Sequence, residues 1–198
     1  MNTKKKIAMI VAYDQQGGIG KESSIPWRIE DDLPRFKRLT EGCPCIMGNA
    51  TFASLKGPLA NRQNIVLTRS PLHAISTYQH MDLTNVTFVS SIEMALERAN
   101  TLGGERAWVI GGGDVYRQFL DHFDELYATV IHANHQCDVF FPRAVSGALE
   151  DLHIMQEPPV DLIERFKDVQ FSGVYHSEST GEITHRYVCI ERRKGAGV

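Results

Sequence analysis

The sequence predicts an α/β fold: a mostly parallel central sheet with helices on both faces, finished by a C-terminal antiparallel hairpin. Three observations predict it. Through residue 123, short apolar runs of strand length alternate with segments of 3.6-residue periodicity, as parallel strands joined by crossover helices do. Beyond residue 123, strand patterns follow one another, and Ser177-Glu178-Ser179-Thr180-Gly181-Glu182 is a turn cluster between two of them. At 198 residues, with 42% hydrophobic and 23% charged side chains, the chain suits one domain over residues 1–198 and excludes disordered and fibrous classes. There is no internal repeat, linker or low-complexity block.

Residues 7–13 form a nearly continuous apolar run, as expected of a central strand covered on both faces. The glycine- and serine-rich stretch 14–26 is a long loop, and loops of this length inside a domain are usually functional lids, although the same residues also make plain surface connections. A helix over 31–41 follows, with Ile29, Leu33 and Phe36 expected to face the core and Gly42 to end it. Strands are expected over 45–47, 64–68, 86–89 and 107–110, and helices over 51–55, 91–102 and 115–123. A polar connection fills 70–85. The later strand patterns are 126–132, 154–156, 169–176 and 183–191, with a short helix candidate at 161–167.

A net charge of -3 leaves no basic footprint for nucleic acid, so an anionic ligand must be held by local groups. Lys4-Lys5-Lys6 before the first strand imitates a secretory leader, but the apolar run is short, Asp14 and Gln15 end it, and no cleavage pattern follows. No stretch is apolar for long enough to suggest a membrane span. Cys43, Cys45, Cys137 and Cys189 match neither a zinc spacing nor a dense disulfide framework, and are expected as buried free thiols in a reducing cytoplasm. The eight histidines are scattered; His132 and His135 lack a third ligand at useful spacing, so no metal site is expected.

The segment Ile25-Pro26-Trp27-Arg28-Ile29-Glu30-Asp31-Asp32-Leu33 sets carboxylates in the first turn of an amphipathic helix beside an aromatic. Asp32 lies at the edge of the apolar face and can look inward, or Asp31 and Asp32 can simply satisfy the helix dipole. Val109-Ile110-Gly111-Gly112-Gly113-Asp114-Val115-Tyr116 is a strand running through three glycines into a helix, where phosphates can approach backbone N–H groups; a tight turn needing positive φ explains it equally well. Ile46-Met47-Gly48-Asn49-Ala50-Thr51 is a second such junction, and the two could grip a diphosphate from two sides. Arg69, after Leu67 and Thr68 at the end of a strand, could fork a phosphate or be solvated, and Arg62 carries the same ambiguity.

Taken in order, Ile19-Gly20, Ile25-Pro26-Trp27, Asp32-Leu33, Phe36-Lys37, Ile46-Met47-Gly48 with Thr51-Phe52, Pro58-Leu59 with Arg62, Ile65-Val66-Leu67-Thr68-Arg69, Ile110-Gly111-Gly112-Gly113 with Val115-Tyr116, and Asp138 before Phe141-Pro142 resemble dihydrofolate reductase of the bacterial kind. The match is collinear from about Ile7 to Arg192. It implies hydride transfer from NADPH to 7,8-dihydrofolate, giving tetrahydrofolate for one-carbon metabolism, in a cytoplasmic monomer that is an antifolate target.

By the resemblance, Asp32 is the pterin-binding carboxylate and acts in catalysis with Tyr116 and Trp27, the proton arriving through water. Ile10, Val11, Ala12, Ile25, Leu33, Phe36, Leu59, Ile110 and Thr129 would line or support the substrate pocket, and Arg62 would clamp the glutamate α-carboxylate. Ala12, Ile19, Gly20, Gly48, Asn49, Ala50, Thr51, Leu67, Gly111, Gly112, Gly113, Asp114, Val115 and Tyr116 would contact the cofactor, with Thr68 and Arg69 on its 2′-phosphate. Residues 15–24 match a mobile loop over the nicotinamide. The chain departs from the family pattern at Asn49, Ala50 and Asp114, where basic or neutral residues are usual; weaker NADPH binding is expected. Ile25 replaces a common methionine, and 158–167 is longer than in compact relatives. The rival readings are a related NADPH-dependent reductase of another pterin or a pyrimidine, and a non-catalytic binding module.

Overall fold

The structure is a computed structural model, described here for residues 4–143, 145, 169–175 and 185–192. Its centre is β1 (Lys6–Asp14), paired in parallel with β6 (Arg106–Val109) on one side and β7 (Glu125–Ile131) on the other. The apolar run of β1 is continuous because both sheet faces are covered. Ile7, Met9, Val11 and Tyr13 pack into one buried layer, and Ala8 and Ile10 into the opposite one.

Going outward from β6 come β3 (Pro44–Gly48), β4 (Gln63–Leu67) and β5 (Val86–Val89), all parallel. On the other flank β10 (His185–Arg192) runs antiparallel to both β7 and β9 (Val169–Tyr175), which completes an eight-stranded sheet. The expected parallel sheet with an antiparallel end is therefore present. The helix candidate at 161–167, the strand pattern at 154–156 and the turn at 177–182 lie outside the described residues.

The helices are α1 (Asp32–Thr40), α2 (Asn49–Ser54), α3 (Pro71–Thr77), α4 (Ile92–Thr101) and α5 (Gly113–Gln118). The Ser91 hydroxyl accepts from Met94 N–H at 3.2 Å and caps α4, whose buried Ala95 and Ala99 lie one turn apart. Phe52 of α2 meets Tyr78 and Phe88 edge-on, giving the second layer its aromatic centre.

Four expectations are corrected. The connection 70–85 contains α3: Ser70 precedes Pro71, whose fixed φ suits the first helical turn, and Ala74 and Tyr78 bury one face although the exposed residues hide the period. The loop 14–26 contains β2 (Gly18–Gly20), paired antiparallel with β8 (Val139–Phe140). Helix 115–123 begins earlier and stops at Gln118, because Phe119 already leaves helical geometry. Only Cys45 of the four thiols is buried, and burial pushes it up to about 12; Cys43, Cys137 and Cys189 are part-exposed.

Candidate active site

Asp32 is the first residue of α1 and is tied to the interior of β7. Thr129, 1% exposed and in register with Ala12 of β1, donates its hydroxyl to Asp32 Oδ1 at 2.7 Å. Among the described residues nothing donates to Oδ2. Ile29 is buried and Phe36 packs on the core, as expected, but Leu33 is 65% exposed. The reason is angular: Leu33 lies one 100° step round the helix from the tethered Asp32, beyond the face that meets the sheet.

Tyr116, buried on α5, donates its hydroxyl to Ile10 O at 2.6 Å. Burial, and then the Asp32 charge, push this phenol up, so it stays a neutral donor. Asp32 acts likewise, after burial, in raising Tyr187, and the Arg35 guanidinium lies 4.3 Å over the Tyr187 ring. The Trp27 ring sits 5.2 Å from His135, centroid to centroid, and its Nε1 is buried without a hydrogen-bond partner among the described residues. Ile25 is 58% exposed, so it and Leu33 both leave apolar surface open.

At the other end of α1, Thr40 donates to Phe36 O at 2.8 Å and accepts from Arg62 Nη1 at 3.2 Å. Arg62 Nε donates to Ala60 O at 2.8 Å, and the guanidinium lies 5.9 Å from the Phe36 ring centroid. Arg62 is 9% exposed, yet no ion pair joins it to a carboxylate among the described residues. Two residues the sequence reading passed over hold this loop. The Asn64 amide accepts from Leu59 N–H at 2.9 Å and donates to Leu59 O at 3.1 Å, and the Asn85 amide donates to Leu59 O and Arg62 O at 3.1 and 3.0 Å. The clue was a polar residue at the head of an apolar strand.

The two glycine junctions meet. Gly48 N–H donates to Gly111 O at 2.8 Å, and Ile110 N–H to Ile46 O at 2.9 Å. Gly48 and Gly112 precede α2 and α5, and among the described residues neither helix start receives a side-chain cap. Gly111 has φ +103°, and an added Cβ would fall 2.8 Å from the Tyr116 ring; one on Gly112 would meet Thr51 Oγ1 at 3.4 Å, and one on Gly48 Val115 Cγ2 at 3.1 Å. Gly111 is required there, whereas a side chain at Gly48 would ask Val115 to give a few tenths of an ångström and one at Gly112 would make an ordinary contact. Leu67 ends β4, with half-buried Thr68 and exposed Arg69 just beyond it. Asn49, Ala50 and Asp114 are exposed on the same junctions. Asp114 is not a bare charge: Arg117 pairs with it at 2.5 Å, an i,i+3 partner the sequence spacing offered.

The loop 15–26 is tied down along its length. Asp14, fully buried, accepts from Gln16 and Gly18 N–H through Oδ1 at 3.0 and 2.8 Å, and from His135 N–H through Oδ2 at 2.9 Å. Asp138 accepts from Glu22 N–H at 2.9 Å and donates its own N–H to Gly20 O at 3.0 Å; Phe141 N–H reaches Gly17 O at 2.8 Å. Ile19, next to Gly20, packs against the larger core layer. In the sequence Asp14 reads only as the end of a strand and His135 only as a histidine lacking a third metal ligand, because neither carries a spacing signal for this contact.

Among the described residues, no group of three or more His, Cys, Asp or Glu is close enough to hold a metal, and no helix is long and apolar enough to cross a membrane. The sequence profile described as dihydrofolate reductase matches residues 6–156. A dihydrofolate reductase of Bacillus subtilis is 38% identical over 137 residues, spanning 69% of this chain and 76% of the relative. One from Pneumocystis carinii is 34% identical over 206 residues, spanning 92% and 86%. Among solved structures, dihydrofolate reductase from Enterococcus faecalis complexed with NADP(H) and RAB-propyl superposes with a TM-score of 0.73 at 27% identity, covering 96% of this chain and 98% of that one. With its site built on a sheet of the same architecture, the chain belongs to the dihydrofolate reductase family.

Proposed function

We propose that the cleft along α1 carries out the NADPH-dependent reduction of 7,8-dihydrofolate to tetrahydrofolate. One observation supports this above all. A single helix holds a carboxylate at its first residue, Asp32, and through Thr40 at its last residue a buried guanidinium, Arg62, without an ion pair among the described residues. Eight helical rises separate those ends by about 12 Å. A substrate that fits both presents an amino-substituted ring at one end and a carboxylate at the other. A bare pterin or pyrimidine would leave Arg62 with nothing to bind, which favours a folate over the rival reductase reading.

The cofactor's fit rests on the glycine cradle. Closely apposed Gly48 and Gly111, with α2 and α5 lacking side-chain caps among the described residues, support a diphosphate held on backbone N–H groups; Thr68 and Arg69, just past β4, would hold the ribose 2′-phosphate. The chemistry NADPH supplies when bound is the hydride. The protein orients and polarises. Asp32 Oδ2 and Oδ1 accept from the 2-amino group and the neighbouring ring nitrogen, and this charge-assisted pair raises the basicity of the ring. Thr129 keeps the carboxylate in that orientation. Tyr116, neutral, fixes the Ile10 carbonyl at the end of β1, beside Val11 and Ala12. Trp27, Ile25, Leu33, Phe36, Leu59 and Ile110 supply apolar walls, and residues 15–24 cover the reacting atoms and exclude bulk water.

We further infer that residues 1–198 act as one monomeric unit, that the acidic net charge disfavours nucleic-acid partners, and that the cysteine pattern suits a reducing cytoplasm. The reading is tested by comparing dihydrofolate with a dihydropterin lacking the benzoyl-glutamate tail. Expected is a kcat/KM at least ~10-fold higher for dihydrofolate, the effect of one charge-assisted pair; equal values would move the reading to a reductase of simple pterins.

A further inference from the structure

We propose that Asp14 and His135 form a clasp that fixes the loop 15–26 at both of its ends, and that both are positioning residues for the reduction. The inference rests on the proposed function, in which this loop covers the reacting atoms.

The geometry runs from one buried carboxylate. Asp14 closes β1, and its Oδ1 takes the N–H groups of Gln16 and Gly18, the entry of the loop. Its Oδ2 takes His135 N–H at 2.9 Å and lies 3.7 Å from Cys137 Sγ, both on the facing segment 132–138. Gln15 N–H to Ala133 O at 3.1 Å adds a backbone link. Cys137 closes the joint sterically: a Cβ on Gly18 would fall 2.4 Å from Cys137 Cβ, so the glycine is required for this contact. A fully buried carboxylate is costly unless its acceptor sites are filled, and here donors on two separate segments fill them. Neither segment can then move at this point without stripping the carboxylate.

The exit of the loop is held by the same segment. His135, whose main chain is pinned by Asp14, lays its ring 5.2 Å from the Trp27 ring at an interplanar angle of 57°. Its Nε2 is buried and has no hydrogen-bond partner among the described residues. The imidazole therefore acts here as a packing surface rather than as a polar anchor. Asp14 and Trp27, thirteen positions apart in sequence, are both met by His135. The arrangement fixes where Trp27 stands over the substrate cleft.

The test uses the full chain with His135→Ala, His135→Phe, Trp27→Leu, the His135→Ala/Trp27→Leu double variant and Asp14→Asn. His135→Ala is expected to lower kcat about tenfold, the scale of a misplaced wall residue, with both KM values within about threefold, because the ligands' anchoring groups are untouched. His135→Phe restores the ring and should return kcat to within about twofold, and the native tryptophan emission maximum, which His135→Ala shifts to the red. In the Trp27→Leu background, removing the imidazole should cost less than about twofold more, since the two act as a unit. Asp14→Asn turns one acceptor into a donor facing N–H groups, so amide exchange at Gly18 and His135 should quicken at least ~10-fold. An unchanged kcat in His135→Ala, a His135→Phe variant as impaired as the alanine one, or additive losses in the double variant would each overturn the clasp. If the native chain does not reduce dihydrofolate, the proposed function fails, and the clasp is then judged by the emission and exchange readouts alone. Should Asp14→Asn not fold, the His135 series decides.

Discussion

Replacing Arg62 with glutamine removes a guanidinium that is 9% exposed and has no carboxylate partner among the described residues. If it binds the substrate's α-carboxylate, the lost hydrogen bonds between charged groups are worth about 1.5–3 kcal/mol. At about 1.4 kcal/mol per factor of ten, the dihydrofolate dissociation constant should rise about 10- to 150-fold. NADPH affinity should stay within about twofold, as among the described residues the Arg62 guanidinium meets Ala60 O, the Thr40 hydroxyl and the Phe36 ring. Ligand titrations followed by tryptophan emission give both constants. Arg62→Lys keeps the charge but loses the fork, and should fall between native and glutamine. A pteridine without a carboxylate supplies the control, since its binding should not distinguish the variants. Native-like dihydrofolate affinity in Arg62→Gln, or an equal loss for the tailless pteridine, would refute the reasoning.

Three other perturbations bear on other parts of the chain. Asn49→Arg places a cation at the uncapped start of α2 and should tighten NADPH about tenfold, measured by titration at low salt; an unchanged constant would show that the neutral residues at 49 and 50 cost nothing. Gly111→Ala forces a Cβ to 2.8 Å from the Tyr116 ring at a backbone φ of +103°, so it should cost about 2 kcal/mol or more and lower Tm by roughly 4–8 °C. Glu125 is nearly buried among Arg106 Nε at 2.6 Å and Lys6 Nζ at 2.9 Å. Burial pushes its carboxyl up, but these cations outweigh it and hold it below the usual glutamate value. Its folded value being depressed, its stabilisation is full above about pH 4.3 and lost as pH falls further through the folded value. Glu125→Gln should therefore lower Tm at pH 7 and lose that deficit in acid.

Periodicity made the sheet and most helices legible. The run at 7–13 is apolar at every position because β1 is covered twice, and Ile92, Ala95 and Ala99 return every turn because α4 is covered once. α3 escaped because only Ala74 and Tyr78 are buried while Leu72 and Ile75 are exposed, so its apolar residues do not mark its inner face. β2 escaped because its glycines carry no β pattern and its pairing comes from β8, about 120 residues away. In the site, Asp32, Arg62 and the glycine junctions were visible as candidates, each with an equally plain structural explanation, and the family resemblance gave them their roles. The groups that orient them were not visible: Asn64, Asn85, Asp14 and His135 act through hydrogen bonds and ring packing between distant segments. Such partners exist only after folding.

The central claim is that Asp32 orients and polarises a dihydrofolate ring for reduction by NADPH. NADPH oxidation with dihydrofolate, measured for the native chain and for Asp32→Asn, tests it most directly. The account predicts turnover in the native chain and a fall of at least ~100-fold in the variant, whose shape is kept and whose charge is gone. No dihydrofolate-dependent turnover in the native chain, or a variant as active as the native, would contradict it.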